Sequence, residues 1–262
     1  MYKKSKAFTL IELLVVIAII ALLVSIMMPA LAKVNKLARS VVCLSKVRHW
    51  CVIWEQYVQD NDGFFTEHVF WVNPLRDYYK ERDIRVCPEA TKPEFDVNGK
   101  PTGARHPHAA WGMWNGRKWG APGGVYDMDY GSYGMNGWVC NPPAGEDSGG
   151  GRMNEYLWRT PVVPGAAKVP MFTDSARYEN MTPNHTDEPP EYDGEPISGN
   201  IDEMRICCIN RHDGIVNMAF LDFSARKVGL KQLWGLKWHR SYDIHAPEPE
   251  WPYWMRNLPD HE

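Results

Sequence analysis

Acid–base or metal chemistry needs particular side chains within reach of one another, and few stretches of this 262-residue chain offer them. His212, Asp213 and Asp222 are types suited to proton transfer or to holding a cation. The residues between them, Ile215–Leu221, read as a strand, which puts Asp222 about 20 Å from His212 at ~3.3 Å per residue. The expected roles are therefore local: a strand-end hydrogen bond for His212 and a turn acceptor for Asp222. Asp60-Asn61-Asp62-Gly63 has some oxygens of a calcium loop but neither the spacing nor the closing glutamate, so Gly63 reads as a helix C-cap. The cysteines at 43, 51, 87, 140, 207 and 208 include no C-x-x-C pair, which argues against a structural zinc site. Cys87 and Cys140 are a candidate disulfide if the chain is exported. Cys207 and Cys208 fall on an expected strand and so should point to opposite faces. Nucleophile-elbow, zincin and phosphate-loop motifs are absent from the sequence.

One further acid stands out by its surroundings. From Phe8 to Ala32 the only polar residues are Thr9, Glu12 and Ser25. As a helix this run is about 37 Å long at ~1.5 Å per residue, enough to cross a hydrocarbon core of about 30 Å. Lys3, Lys4 and Lys6 precede it, which predicts a cytoplasmic N-terminus and an outward remainder. Ala30-Leu31-Ala32 offers a signal-peptidase site, but the run is long for a signal peptide and carries an acid near its start. A plain anchor explains the length and leaves Glu12 as a cost of about 2.5–3.5 kcal/mol at mid-bilayer, less near the membrane edge.

A lysine-rich leader, a small residue, then Phe-Thr-Leu-Ile-Glu-Leu closely resembles the prepilin signature of type IV pilins and type II secretion pseudopilins. The resemblance implies cleavage between Ala7 and Phe8 by a prepilin peptidase that also methylates the new amine. Glu12 then becomes the fifth mature residue, and Pro29 falls where the family commonly bends its helix. Ala7 stands where the family usually has Gly. A new amine inside lipid would be neutralised by a neighbouring subunit's carboxylate, which gives Glu12 a role in subunit register. Further matches are "CPEA" at Cys87–Ala90, "GSYGMNGW" at Gly131–Trp138, and the spacing of His212, Asn217, Phe220 and Asp222 near the C-terminus. These resemble a pseudopilin-like group with a His, nine residues, Asp-Gly pattern, in which Phe223 replaces the usual Gly. The resemblance brings no catalytic residues or organic cofactor. Calcium in a C-terminal loop is common in pseudopilins, which makes Asp174, Asp202 and Asp222 candidate ligands.

These residues need elements to position them. Leu37, Val41, Leu44, Val47, Cys51, Trp54 and Val58 recur at helical spacing, predicting that the membrane helix continues to about Gln59. Residues 93–128 and 179–204 read as loops, the second as a long exposed excursion. Strands are predicted at Val169–Thr173, Arg205–Ile209, Ile215–Leu221 and Ala225–Val228, with a short helix over Leu230–His239. The predicted fold is α+β and pilin-like, a long membrane-spanning helix packed on a loop-rich head with an antiparallel sheet. Its segments are a leader (1–7), a transmembrane part (8–32), an amphipathic continuation (33–60) and an extracytoplasmic head (61–262). A net charge of −3 shows no basic excess for nucleic acid. The partners implied are the inner membrane, the prepilin peptidase and other pilin-like subunits. Trp111, Trp114, Trp119, Trp251 and Trp254 carry the alternative: exposed, they would stack on sugars and make a tethered or secreted carbohydrate-binding module. Buried, they give a loop-rich head its core area.

Overall fold

A computed structural model of the chain describes residues 9–93, 106–114, 128–146, 153–180, 182–197 and 203–258. Ala7, Phe8, Asp202 and Trp119 lie outside the described residues. The chain divides into two units, Met1–Arg39 and Ser40–Glu262.

Helix α1 runs from Leu10 to Asp60 with Pro29 inside it and no glycine to interrupt it. Its start is a reciprocal capping box. The Thr9 N–H and hydroxyl donate to Glu12 Oε2 at 2.9 and 2.7 Å, and the Glu12 N–H donates back to Thr9 Oγ1 at 3.3 Å. At the other end Asp62 and Gly63 take left-handed φ values of 55° and 83°, and the Gly63 N–H reaches the Val58 carbonyl at 2.9 Å. That six-to-one bond satisfies an end carbonyl, so Gly63 is the stop the sequence suggested. Residues 9–39 are exposed throughout. Among the described residues α1 is the one helix long and apolar enough to cross a membrane.

In the second unit, α1 buries Ser40, Cys43, Val47, Trp50, Cys51, Ile53, Trp54 and Val58. Leu37 and Val41, expected on this stripe, are exposed. The reason is what the helix meets. Positions 43, 47, 50 and 54 share one helical face, and that face lies on strand β4 of a five-stranded sheet. The strands are β3 (Tyr133–Asn136), β4 (Pro170–Asp174), β5 (Glu179–Asn180), β6 (Ile215–Phe220) and β7 (Ala225–Gly229), in the order β5-β3-β4-β6-β7. All pairings are antiparallel except the short β3–β5 contact. A separate antiparallel pair, β1 (Trp111–Trp114) with β2 (Met128–Gly131), falls in a stretch expected to be loop. Every residue of β3, β4 and β6 is buried, so both faces of the sheet centre are covered.

The β6–β7 hairpin shows how its turn is closed without the usual glycine. Phe223 itself adopts φ 60°, and Asp222 Oδ1 accepts from the Ser224 N–H at 3.0 Å and its hydroxyl at 2.6 Å. A left-handed non-glycine residue costs about 1–2 kcal/mol, which these local bonds offset.

Two stretches depart from expectation. Arg205–Ile209 is not a strand: Glu203–Ile206 forms a 3-10 turn, and the N–H groups of both Cys207 and Cys208 bond to the Met204 carbonyl. Both cysteines are buried. Residues 182–197 are irregular but not a free excursion, because the core reaches into their backbone. The Trp234 and Trp254 indoles donate to the carbonyls of Asp187 and Pro190, each at 2.8 Å. Leu230–His239 holds a five-residue 3-10 helix, Lys231–Gly235, followed by extended chain.

The tryptophans form the core. Trp50 packs edge-on against Trp71 at 4.9 Å and lies 5.2 Å from Phe172, while Trp71 meets Phe172 at 4.9 Å. Trp111 is fully buried and donates to the Tyr133 carbonyl at 2.8 Å. Trp251 is half-buried edge-on against Trp234. Among the residues whose burial is described no tryptophan is exposed, so Trp111, Trp251 and Trp254 offer no open stacking face; the burial of Trp114 lies outside that description.

His239 lies in this aromatic packing, stacked on Tyr156 and close to Trp138 and Tyr242. Burial, helped by the nearby charges of Lys237 and His185, pulls its pKa down to about 4. Between about pH 6.5 and 4 the unfolded chain therefore binds a proton that the fold excludes, so stability falls as pH falls through that window. The loss expected by pH 4 is about 2 kcal/mol, from 1.4 kcal/mol for each tenfold change in proton affinity less what solvent screening removes. Urea midpoints of the full chain in detergent, compared between pH 7 and pH 4.5, should show a smaller drop for His239→Phe than for the parent.

A buried cysteine, histidine and aspartate cluster

The residues with the most perturbed chemistry come from four separate elements of the second unit. Cys43 comes from α1, Cys87 from the chain just after the Arg82–Arg85 turn, Asp174 from the end of β4, and His212 from the segment entering β6. All four are buried, and one ligand-type atom from each lies within 4.8 Å of the other three. Cys87 Sγ is 3.2 Å from His212 Nε2, which is 3.3 Å from Asp174 Oδ2. The Cys43 thiol donates to the same Asp174 oxygen at 3.2 Å and accepts from the Tyr133 hydroxyl at 3.2 Å.

The surroundings fix these groups tightly. The Asn217 N–H donates to Asp174 Oδ2 at 3.3 Å, and its side-chain amide donates to the Ser40 carbonyl on α1 at 3.4 Å. Arg211 has a fully buried guanidinium that spreads five bonds over four carbonyls (Pro107, Ala109, Ser132 and Ser175) and Asp174 Oδ1. Its fork geometry lets one side chain satisfy several loops at once.

The charges are arranged accordingly. Burial alone would raise Asp174, but the His212 hydrogen bond and the His212 and Arg211 charges outweigh it and bring the carboxyl to about 2. Burial would lower His212, and bonds to Asp174 and Cys87 instead lift it to about 10. For Cys87, burial is offset by donation from Cys43 and by His212 and Arg211, bringing the thiol to about 7. Burial and the neighbouring anions push Cys43 well above the ordinary thiol range. A buried aspartate and a thiol of lowered pKa thus face a buried arginine and an imidazole of raised pKa, the kind of pairing that buried charges require.

This is not a nucleophile–base–orienter relay. In such a relay the two ring nitrogens face different partners, whereas here Cys87 and Asp174 both face Nε2 and Nδ1 is buried without a hydrogen-bond partner. Cys87 is also fully buried.

The residues singled out from sequence are dispersed. His212 and Asn217 belong to the cluster, while Asp222 is an exposed turn acceptor at the opposite end of β6. Asp174 sits among cations and sulfur, the reverse of the oxygen-rich cage calcium needs, and Asp222 does not join it. Cys87 is not bonded to Cys140; its sulfur lies in the cluster instead. Sequence reasoning missed Cys43, Arg211 and Tyr133. The one signal for Cys87 was its place in "CPEA", which carries no chemistry of its own. Glu12 and Pro29 lie in the exposed first unit, where Glu12 is bonded to Thr9.

Compared with known protein families, residues 2–28 match the prokaryotic N-terminal methylation motif. The match supports a type IV pilin-like or pseudopilin family, whose members are structural subunits rather than enzymes. No curated protein and no solved structure matches the chain.

Arg211→Lys tests the electrostatic frame. Lysine keeps the charge but has no fork to bridge the four carbonyls, so the head should lose about 1–3 kcal/mol for each buried carbonyl left unsatisfied. A fall in the urea midpoint of the full chain, with unchanged slope, is the expected readout.

Proposed function

We propose that this chain is a membrane-inserted subunit of a type II secretion pseudopilus or a type IV pilus-like fibre. The methylation motif marks it as a pilin- or pseudopilin-type subunit processed by a prepilin peptidase, and the long apolar helix suggests a single-pass membrane anchor. The observation that carries the finer reading is Glu12 within that motif, on a helix whose residues 9–39 bury nothing of their own. Such a surface needs lipid before assembly and other subunits after it. In this reading the lysine-rich leader stays cytoplasmic and the head lies outside the inner membrane. Ala7 and Phe8 flank the cleaved bond, Glu12 pairs with a neighbour's new amine, and Pro29 lets the helix deform on leaving the membrane, since proline removes a backbone donor.

The capping box gives Glu12 a second duty, and the two can be separated. Glutamine serves a capping box as well as glutamate but carries no charge. Both Glu12→Gln and Glu12→Ala should insert in the membrane and be cleaved to N-methyl-phenylalanine at Phe8, shown by mass spectrometry of the mature N-terminus. Both should then fail to enter fibres. Normal incorporation of Glu12→Gln would refute charge pairing and leave helix capping as the residue's role. A mature N-terminus at Lys33 or an intact Met1 would refute prepilin processing.

A further inference from the structure

We propose that Cys43, Cys87, Asp174 and His212 form a closed, four-coordinate binding site for a structural zinc ion. The geometry is the first support. Four donor atoms of the types zinc prefers converge within 4.8 Å of one another. With metal–ligand bonds of about 2.0–2.3 Å, the edges of a tetrahedral donor set are about 3.3–3.8 Å. The separations here are 3.2 Å (Cys87 Sγ to His212 Nε2), 3.3 Å (His212 Nε2 to Asp174 Oδ2) and 3.2 Å (Cys43 Sγ to Asp174 Oδ2). These three edges lie within a few tenths of an ångström of tetrahedral values, and the remaining separations stay within 4.8 Å.

The direction of the imidazole is the second support. One ring nitrogen faces both the sulfur and the carboxylate, which is the convergence a metal ligand shows. The third is charge. Two thiolates, one carboxylate and a divalent ion leave a single net negative charge, and the buried Arg211 guanidinium at 3.4 Å from Asp174 neutralises it. Loading releases the protons held by Cys43 and His212, and the remaining proton fraction of Cys87, to solvent.

Ligand softness selects the metal. Two thiolates with one imidazole and one carboxylate in tetrahedral array suit zinc, whereas calcium and magnesium need oxygen cages. Four buried protein ligands leave no open position, so the ion would be structural rather than catalytic. It would tie α1 to β4 and to the segments carrying Cys87 and His212. This inference is independent of fibre assembly, since it concerns the second unit alone.

A second consequence concerns redox state. Two thiols this close, in a head outside the cytoplasm, would be expected to oxidise to a disulfide unless a metal holds them. The full chain purified in mild detergent should contain one zinc per chain by elemental mass spectrometry. Cys87→Ser and His212→Ala should lose it, and Asp222→Asn should keep it. Growth in cobalt-supplemented, zinc-depleted medium should give a thiolate-to-cobalt charge-transfer band and the visible bands of a tetrahedral site. Cys87→Ser, which loses the metal, should show neither set of bands. The cobalt measurement is made on the unaltered chain, so it stands even if the variants misfold. Zinc-free parent protein with no cobalt–thiolate band would overturn the proposal. So would an intact mass showing a Cys43–Cys87 disulfide, or zinc content unchanged in both ligand variants.

Discussion

A carboxylate cut off from water must be surrounded by donors and cations, and Asp174 is that carboxylate. It is fully buried at the end of the central strand β4. Meeting its demands brings together α1 through Cys43, β6 through the Asn217 N–H, and the segment between β5 and β6 through Arg211 and His212. Arg211 then carries the constraint outward, because its remaining donors hold carbonyls of the 107–109 stretch and the 132 and 175 corners. Leaving such a charge unpaired costs several kcal/mol, a large part of a domain's net stability. The relative positions of helix, sheet and three loops are thus tied to one buried group.

Alongside this polar cluster runs an aromatic one. On α1, Cys43 meets Asp174 while Trp50 and Trp54 meet Phe172, two residues earlier on the same face of β4. The helix is therefore fastened twice, once by charge-assisted hydrogen bonds and once by apolar area. Large aromatics also solve a problem of composition. A head with so much irregular chain has many backbone carbonyls to satisfy, and the indole N–H groups of Trp50, Trp71, Trp111 and Trp234 each take one from within the core. Buried tryptophan thus supplies both core area and donors to a loop-rich head.

Several features were legible in advance because they are local. The apolar run and its continuation as a helix follow from composition and periodicity, and Gly63 was readable as a stop. The hairpin of Ile215–Phe220 with Ala225–Gly229 follows from β-branched residues flanking a short polar turn. The errors are equally physical. Arg205–Ile209 has strand-like composition, but tight turns around Met204 satisfy its backbone instead. Leu37 has the right spacing for a buried stripe but precedes Ser40, where burial begins, and Val41 lies off the face of 43, 47, 50 and 54 that meets the sheet. A C-x-x-C pair detects only ligands close together along the chain, so its absence did not bear on Cys43, Cys87, Asp174 and His212.

By itself, then, the sequence carried the methylation motif that supports a pilin-like family, with a membrane-length helix and a charged residue inside it, all near the N-terminus where hydropathy and spacing act locally. Only the tertiary structure decided the chemistry of the head. Cys43, Cys87, Asp174 and His212 are separated by long stretches of chain, and no local rule relates them. They meet because a helix, a strand and two connecting segments pack around one core, with the buried Asp174 drawing donors and cations to it.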